Sequence, residues 1–289
     1  MPAKIIDGTK IAKKILDDAK ARVKELREKG VVPNLVVIQV GNDPASTIYV
    51  KKKHQTCLEI GMSSEIKKLP ETISYEELSK IIKSLNYDQK VHGVLLQLPL
   101  PKHLVEKQVL ELIDVRKDVD GFHPYNQGRN LLGKECIKPA TPKGIITLLK
   151  TVSQNIEGKH AVIIGRSNIV GKPLALMLLH EGCTVTVCHS KTVDLAKHAR
   201  MADILVSAAG KEKLITAKMV KKGAIVIDVG TNRTKEGKLV GDVDFEAVKK
   251  KAGWITPVPG GVGPMTIASL IENTLKACEE IELSSNARK

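Results

Sequence analysis

Apolar positions along the first part of the chain change period several times. From Lys10 to Lys29 they recur at helical spacing, with Ile11, Ile15, Ala19, Val23 and Leu26 on one face, and Gly30 stops the pattern. Leu35 to Val40 is a run of mostly β-branched residues, as expected of a strand buried on both faces. Helical spacing returns from Ser46 to Ile60 and stops at Gly61. A strand near Ser64 to Leu69, a helix from Tyr75 to Leu85, a strand from His92 to Leu98 and a helix near Leu104 to Ile113 follow. Pro99–Leu100–Pro101 ends the third strand, because proline cannot donate to a ladder. This alternation predicts parallel β/α units.

The rhythm breaks over Asp118 to Pro142, a turn-rich segment that reads as a domain junction. A helix is expected from Gly144 to Ser153, with Pro142 in a favourable first-turn position. A second alternating unit begins at His160, with strands near 160–165, 184–188, 203–207, 224–229 and 254–256. The last helix, about Met265 to Glu282, is expected to fold back onto the first domain. The expected architecture is an α/β fold of two domains of parallel β/α units, with an active cleft between them. Residues 1–141 and 266–289 form the first domain, and residues 142–265 the second, a variant Rossmann fold.

The second unit opens on AVIIGRSNIVGKP, Ala161 to Pro173. A strand that ends in glycine and leads into a helix brings a phosphate-bearing ligand to free backbone N–H groups. Two common phosphate motifs nearly fit and both fail. The dinucleotide fingerprint needs glycine two residues after Gly165, where Ser167 stands. The P-loop needs four residues between its glycines and a hydroxyl after its lysine. Here five residues separate Gly165 from Gly171, and Pro173 follows Lys172. A variant Rossmann turn with Arg166 inside it remains.

In a standard NAD fold a carboxylate ends the second strand and binds the ribose 2′-hydroxyl. Here Thr184 to Cys188 ends in His189–Ser190–Lys191–Thr192, with no carboxylate. A hydroxyl, a lysine and the nearby Arg166 suit a 2′-phosphate, which favours NADP over NAD. Ser190 is also placed to cap the next helix.

Composition narrows the picture. A hydrophobic fraction of 42% is that of a globular protein, and only seven residues are aromatic (Phe 2, Trp 1, Tyr 4), so the core rests on aliphatic residues. Few aromatics and no dense basic block argue against a nucleic-acid module, despite a net charge of +14. That charge favours anionic small molecules, although most single lysines read as solvated helix faces. Cys57, Cys136, Cys183, Cys188 and Cys278 are scattered without zinc-site spacing; no metal is expected, and the thiols read as reduced. MPAKIIDGTK lacks a signal-peptide apolar region and no run reaches membrane-spanning length, so a cytoplasmic protein is expected.

Several residues carry candidate chemistry. Tyr49 and Lys53 are spaced i, i+4 on one helical face, with Lys51 and Lys52 elsewhere. A lysine becomes a general base only when burial or cationic neighbours lower its pKa; otherwise this is a solvated lysine face. Gln97 interrupts the apolar run VLLQLPLP, where an amide needs a partner or a ligand. Asp120, in KDVDG, stands either for ligand binding at a strand carboxyl end or for turn chemistry with Gly121. The loop from Pro257 to Pro264 is rich in glycine and proline: a rigid turn, or a backbone that approaches a ligand closely.

Taken together, STIYVKKK, GVLLQLPLP, KDVDGFHPYNQGR, TPKG, GRSNIVGKP, TVCHSKT and TPVPGGVGPMT resemble the bifunctional methylenetetrahydrofolate dehydrogenase/methenyltetrahydrofolate cyclohydrolase family from end to end. The resemblance implies oxidation of 5,10-methylenetetrahydrofolate with NADP, then hydrolysis of the methenyl product to 10-formyltetrahydrofolate. It places the chain in one-carbon metabolism that serves purine biosynthesis. It implies that Lys53 activates water, Gln97 positions Lys53, Tyr49 orients the folate, and Asp120 anchors the pterin. Gly165, Arg166 and Ser167 would hold the cofactor phosphates, with Arg166 and Ser190 at the 2′-phosphate and Thr231 near the nicotinamide. Leu98, Pro259, Gly260, Gly261 and Thr266 would bind the folate; Gly261, Gly263, Pro264 and Thr266 match the loop that lines the folate and nicotinamide sites, and Thr141 the opposite wall. A homodimer through the NADP-binding domain is implied. Three residues depart from the usual family pattern: Gln55 replaces a basic residue, Ala140 a cysteine and Thr231 an isoleucine. Tyr49, Lys53 and Gln97 together argue against a dehydrogenase without cyclohydrolase activity.

Overall fold

A computed structural model describes residues 1–234 and 236–286. In chain order the first elements are β1 (Lys4–Ile5), α1 (Gly8–Glu28), β2 (Asn34–Val40), α2 (Pro44–Glu59), β3 (Ser63–Leu69), α3 (Tyr75–Tyr87) and β4 (Gly93–Gln97). Three helices follow: α4 (Glu106–Leu110), α5 (Pro124–Leu131) and α6 (Ala140–Val152). Then come β5 (His160–Ile164), α7 (Gly171–His180), β6 (Thr184–Cys188), α8 (Leu195–Arg200), β7 (Ile204–Ser207) and β8 (Ile225–Asp228). The chain continues through β9 (Asn232–Arg233), β10 (Leu239–Val240), α9 (Phe245–Lys249), β11 (Trp254–Ile255) and α10 (Val262–Asn286).

The chain divides into two compact units. The first comprises Lys14–Arg129, Glu135–Lys138 and Leu270–Lys289. Its sheet has the order β3-β2-β4, all parallel, with Gln39 of β2 in register with Gln97 of β4. One face carries Val36, Ile38, Val40, Val94 and Leu96, which pack against Leu78, Ile82 and Leu85 of α3. Burying side chains of this size contributes roughly 1.5–3 kcal/mol each, so this face anchors the unit. The other face receives α2. A Cβ on Gly93 would lie 2.8 Å from Val119 Cγ1 and 3.2 Å from Thr274 Cγ2, so α10 crosses the sheet where only glycine leaves room.

The second unit comprises Met1–Lys13, Asn130–Lys134 and Pro139–Ser269. Its sheet has the order β1-β11-β8-β7-β5-β6, again all parallel. Counted from β5, this is the doubly wound 2-1-3-4-5 order, a Rossmann-like arrangement whose strand order reverses between β5 and β7. Val162, Ile164, Leu205, Val226, Val248 and Ile255 share its core.

Several expectations need correction. Residues 1–13 cluster with the second unit, because β1 pairs with β11 and Thr9 N donates to Gly260 O at 3.1 Å. The helix expected near Leu104 to Ile113 shortens to α4. The turn-rich junction contains α5, PYNQGRNL, whose few apolar residues give no helical stripe. α6 starts at Ala140 rather than Gly144, which places Pro142 in its first turn, where its missing N–H costs nothing.

Candidate active site

The first unit builds its site where β2 and β4 end and α2 begins. Asp43 caps α2 by accepting from Ser46 N at 2.7 Å, and Pro44 starts the helix. Ser46, Val50, Lys53 and Cys57 then form a buried stripe, while Lys51 and Lys52 are exposed. Lys53 is therefore the one lysine of the KKK run that faces inward, and only 8% of it is exposed. Its Nζ donates to Gln97 Oε1 at 3.1 Å, and Gln97 Nε2 donates to Leu98 O at 2.8 Å. That second bond fixes the amide so that its oxygen faces the lysine. Tyr49 lies half-buried one turn before Lys53, and Leu98, half-buried, precedes a cis bond to Pro99. Gln55, the departure on this helix, is exposed and bonds Glu59, off the Lys53 face.

KDVDG divides its labour in a way the sequence left open. Asp118 accepts from Phe122 N at 3.1 Å, His123 N at 2.9 Å and Asn126 Nδ2 at 2.8 Å, so it shapes the loop. Gly121, at φ +71°, donates to the Asp118 carbonyl. Lys117 Nζ is spent on Leu85 O and Asp88 O. Among the described residues the Asp120 carboxylate has no hydrogen bond, and its charged neighbours are Lys53 and Asp118. Burial pushes the Asp120 carboxyl up to about 6, against the pull of Lys53. Burial likewise lowers the Lys53 pKa, against the opposing pull of Asp120. A lysine so placed loses a proton more easily than a solvated one, which is what a base at neutral pH requires.

In the second unit, Gly165 follows β5 and its N donates to Cys188 O at 2.9 Å. Gly165 has φ +137°, and a Cβ there would collide with Ala208 O at the end of β7. A Cβ on Gly171 would collide with Gly165 O, so both glycines are needed for α7 to abut the turn. Ser167 Oγ accepts from Val170 N at 3.1 Å and holds the turn. Arg166 and Ser190 are exposed at the ends of β5 and β6, and among the described residues neither side chain has a hydrogen-bond partner. Ser190 does not cap the next helix: Asp194 does, accepting from Lys197 N at 3.1 Å. The groups at this strand edge are cationic and hydroxylic, and they fit an anionic nucleotide.

The other proposed residues of this unit lie around β8, β11 and the start of α10. Gly261 is buried, Gly260 has φ +104°, and Pro259 is exposed after a cis bond from Val258. Thr266 and Thr141 hydroxyls are 3.0 Å apart. Thr231 is exposed between β8 and β9. Two buried carboxylates that the sequence reading passed over shape these strand ends. Asp242 accepts from Ser207 Oγ and from the N–H groups of Ala209, Gly210 and Lys211. Asp228 accepts from Gly230 N, Asp242 N and Val243 N, and burial pushes its carboxyl up to about 6. Their only sequence signal is a carboxylate within two residues of a glycine near a strand end, shared by many turns.

The chain matches two family profiles: tetrahydrofolate dehydrogenase/cyclohydrolase, catalytic domain, over residues 6–120, and the NAD(P)-binding domain of the same family over residues 139–282. It is 55% identical over 277 residues to bifunctional protein FolD of Moorella thermoacetica, covering 96% of this chain and 99% of that protein. The crystal structure of the bifunctional enzyme FolD from Campylobacter jejuni superposes with a TM-score of 0.95 at 51% identity, covering 96% of this chain and 99% of that one. The methylenetetrahydrofolate dehydrogenase-cyclohydrolase of Trypanosoma brucei, solved with NADP cofactor and an inhibitor, gives 0.93 at 38% identity over 97% of this chain and 98% of that one. With both of its domains matched and its relatives spanned from end to end, the chain belongs to the tetrahydrofolate dehydrogenase/cyclohydrolase family.

Proposed function

We infer that Lys53, Gln97, Asp120 and Tyr49 form the cyclohydrolase centre of this bifunctional enzyme, and that the Gly165–Pro173 turn carries its NADP. The observation that carries the reading is Lys53: buried, lowered in pKa, and held by Gln97 Oε1 at 3.1 Å. Water adds to the methenyl carbon of 5,10-methenyltetrahydrofolate, and neutral Lys53 takes its proton as the C–O bond forms. The bond from that carbon to N5 then breaks, N5 gains a proton from the Lys53 ammonium, and loss of the remaining hydroxyl proton leaves the 10-formyl group. Gln97 holds Lys53 for both transfers. Asp120, ionised above about pH 6, accepts hydrogen bonds from the pterin amino edge. Tyr49 orients the ring system beside them. Leu98, which follows Gln97 at the end of β4, adds to the folate contacts.

NADP, when bound, supplies the hydride acceptor for oxidation of 5,10-methylenetetrahydrofolate. The chain contributes placement: Gly165, Arg166 and Ser167 at the phosphates, Arg166 and Ser190 at the 2′-phosphate, and Thr231 near the nicotinamide. The absence of a carboxylate after β6 and the unpaired Arg166 support NADP over NAD.

We further place the enzyme in the cytoplasm as a homodimer whose formyl product feeds purine biosynthesis. The five cysteines are free thiols, in keeping with a reducing compartment. β6 ends its sheet, and Val187 and Val193 are 38% and 86% exposed beside its open edge, which favours pairing through the NADP-binding domain. Sedimentation at micromolar concentration reads that assembly.

Lys53→Ala tests the site. It should abolish formation of 10-formyltetrahydrofolate while the folded chain still reduces NADP, so that the methenyl species accumulates. Normal cyclohydrolase turnover in that variant would remove Lys53 from its role.

A further inference from the structure

The mechanism above leaves one buried polar side chain of the same strand edge unused. Gln39 lies in β2 among Leu35, Val36, Val37, Ile38 and Val40, all buried, and is itself only 1% exposed. Nothing in the packing of a central strand calls for an amide there. Its Nε2 donates to Thr47 Oγ1 at 2.7 Å. The Thr47 hydroxyl spends its single proton on Asp43 O at 2.9 Å, so it can only accept from Gln39. That assigns the amide orientation and leaves Gln39 Oε1 as a buried acceptor with no donor among the described residues. Such an atom is costly unless a donor reaches it.

Gln39 pairs in register with Gln97 in a parallel ladder, so their side chains share one sheet face. That face carries Lys53. Among the described residues Lys53 Nζ makes one hydrogen bond, to Gln97, whereas the ammonium formed during hydrolysis has three N–H groups. We propose that Gln39 is a second positioning residue of the cyclohydrolase centre: it ties the first turn of α2 to the sheet through Thr47 and offers its carbonyl, beside that of Gln97, to the protonated Lys53. The proposal rests on the reading of Lys53 given above. Among the described residues the charge that acts on Lys53 is Asp120, which Asp118 of the same loop acts on in turn, and Tyr49 and Cys57 lie one turn away on its own helix. Asp120 already favours the ammonium, and Gln39 adds a neutral acceptor from β2.

Two substitutions move Lys53 in opposite directions. Gln39→Met keeps the shape and removes the acceptor, so the acid limb of the cyclohydrolase pH profile should shift to lower pH and kcat should fall roughly tenfold, the loss of about one hydrogen bond. KM and NADP reduction should hold. Gln39→Glu adds a negative charge and should shift the same limb to higher pH. A packing role would change the melting temperature and leave the limb in place. Should either variant fail to fold, Thr47→Val, which releases the amide from its fixed orientation, should displace the limb downward. Unmoved limbs in the folded variants would overturn the proposal. Lys53→Ala, assayed alongside, separates the two ideas. If it retains cyclohydrolase activity, the site reading fails and Gln39 falls with it. If it loses activity while the Gln39 limbs stay fixed, only the role of Gln39 is lost.

Discussion

At the scale of single residues, the site places two opposite charges where burial disfavours both. Asp120 has a carboxyl pushed up to about 6 from an ordinary 3.8. Between those values the folded chain binds more protons than the unfolded chain, so stability falls as pH rises through about 4 to 6. Above pH 6 the cost is fully present. Asp120→Asn removes it, so the variant should resist urea better than the parent at pH 7.5, by on the order of 1 kcal/mol, with no such gain at pH 4. The same variant should bind folate more weakly. Equal stability at both pH values would mean that the carboxylate is not held at a cost. At the other strand edge, Arg166→Ala should weaken NADP far more than NAD, as read by KM for each cofactor; equal losses would remove Arg166 from the 2′-phosphate. The positions of these side chains were partly legible beforehand. An amide in the apolar run VLLQLPLP marks Gln97, and the same signal in LVVIQV marks Gln39, although the sequence reading singled out only the first. Asp118 and Asp120 flank one turn, and sequence alone does not tell which of them shapes it; the hydrogen bonds to Phe122, His123 and Asn126 do.

At the scale of elements, long periodic stretches are where pattern and structure agree. α1 and α3 carry apolar stripes, and β2, β4, β5, β7 and β8 are buried runs. The two-residue strands β1, β9 and β10 have no period to read, and α5 carries too few apolar residues to show one. The unusual glycine spacing of the phosphate turn has an element-scale cause: α7 packs its first residue onto the carbonyl of Gly165. Gly171→Ala must push the helix from the turn. It should lower stability by about 1–3 kcal/mol and raise KM for NADP, while Gly158→Ala, with nothing near its Cβ, should leave KM alone. An unchanged KM for Gly171→Ala would show that the turn tolerates the shift.

At the scale of the whole chain, the two sheets have the same logic. Both are parallel, both reverse their strand order, at β2 in the first and between β5 and β7 in the second, and both place polar groups at the strand carboxyl ends. One edge presents Lys53, Gln97 and Asp120, and the other Arg166 and Ser190. The partition of the chain was less legible than the alternation. The first 13 residues join the second unit through β1, a contact between chain ends that periodicity does not carry. The net charge of +14 suits a substrate with an anionic glutamate tail and an anionic cofactor. The central claim is that one chain runs oxidation and hydrolysis in succession. Its most direct test is absorbance against time after mixing the enzyme with 5,10-methylenetetrahydrofolate and either NADP or NAD. The account predicts reduced cofactor with NADP in preference to NAD and no lasting build-up of the methenyl species. Persistent methenyl would contradict the cyclohydrolase centre at Lys53, and no reduction of either nucleotide would contradict the dehydrogenase.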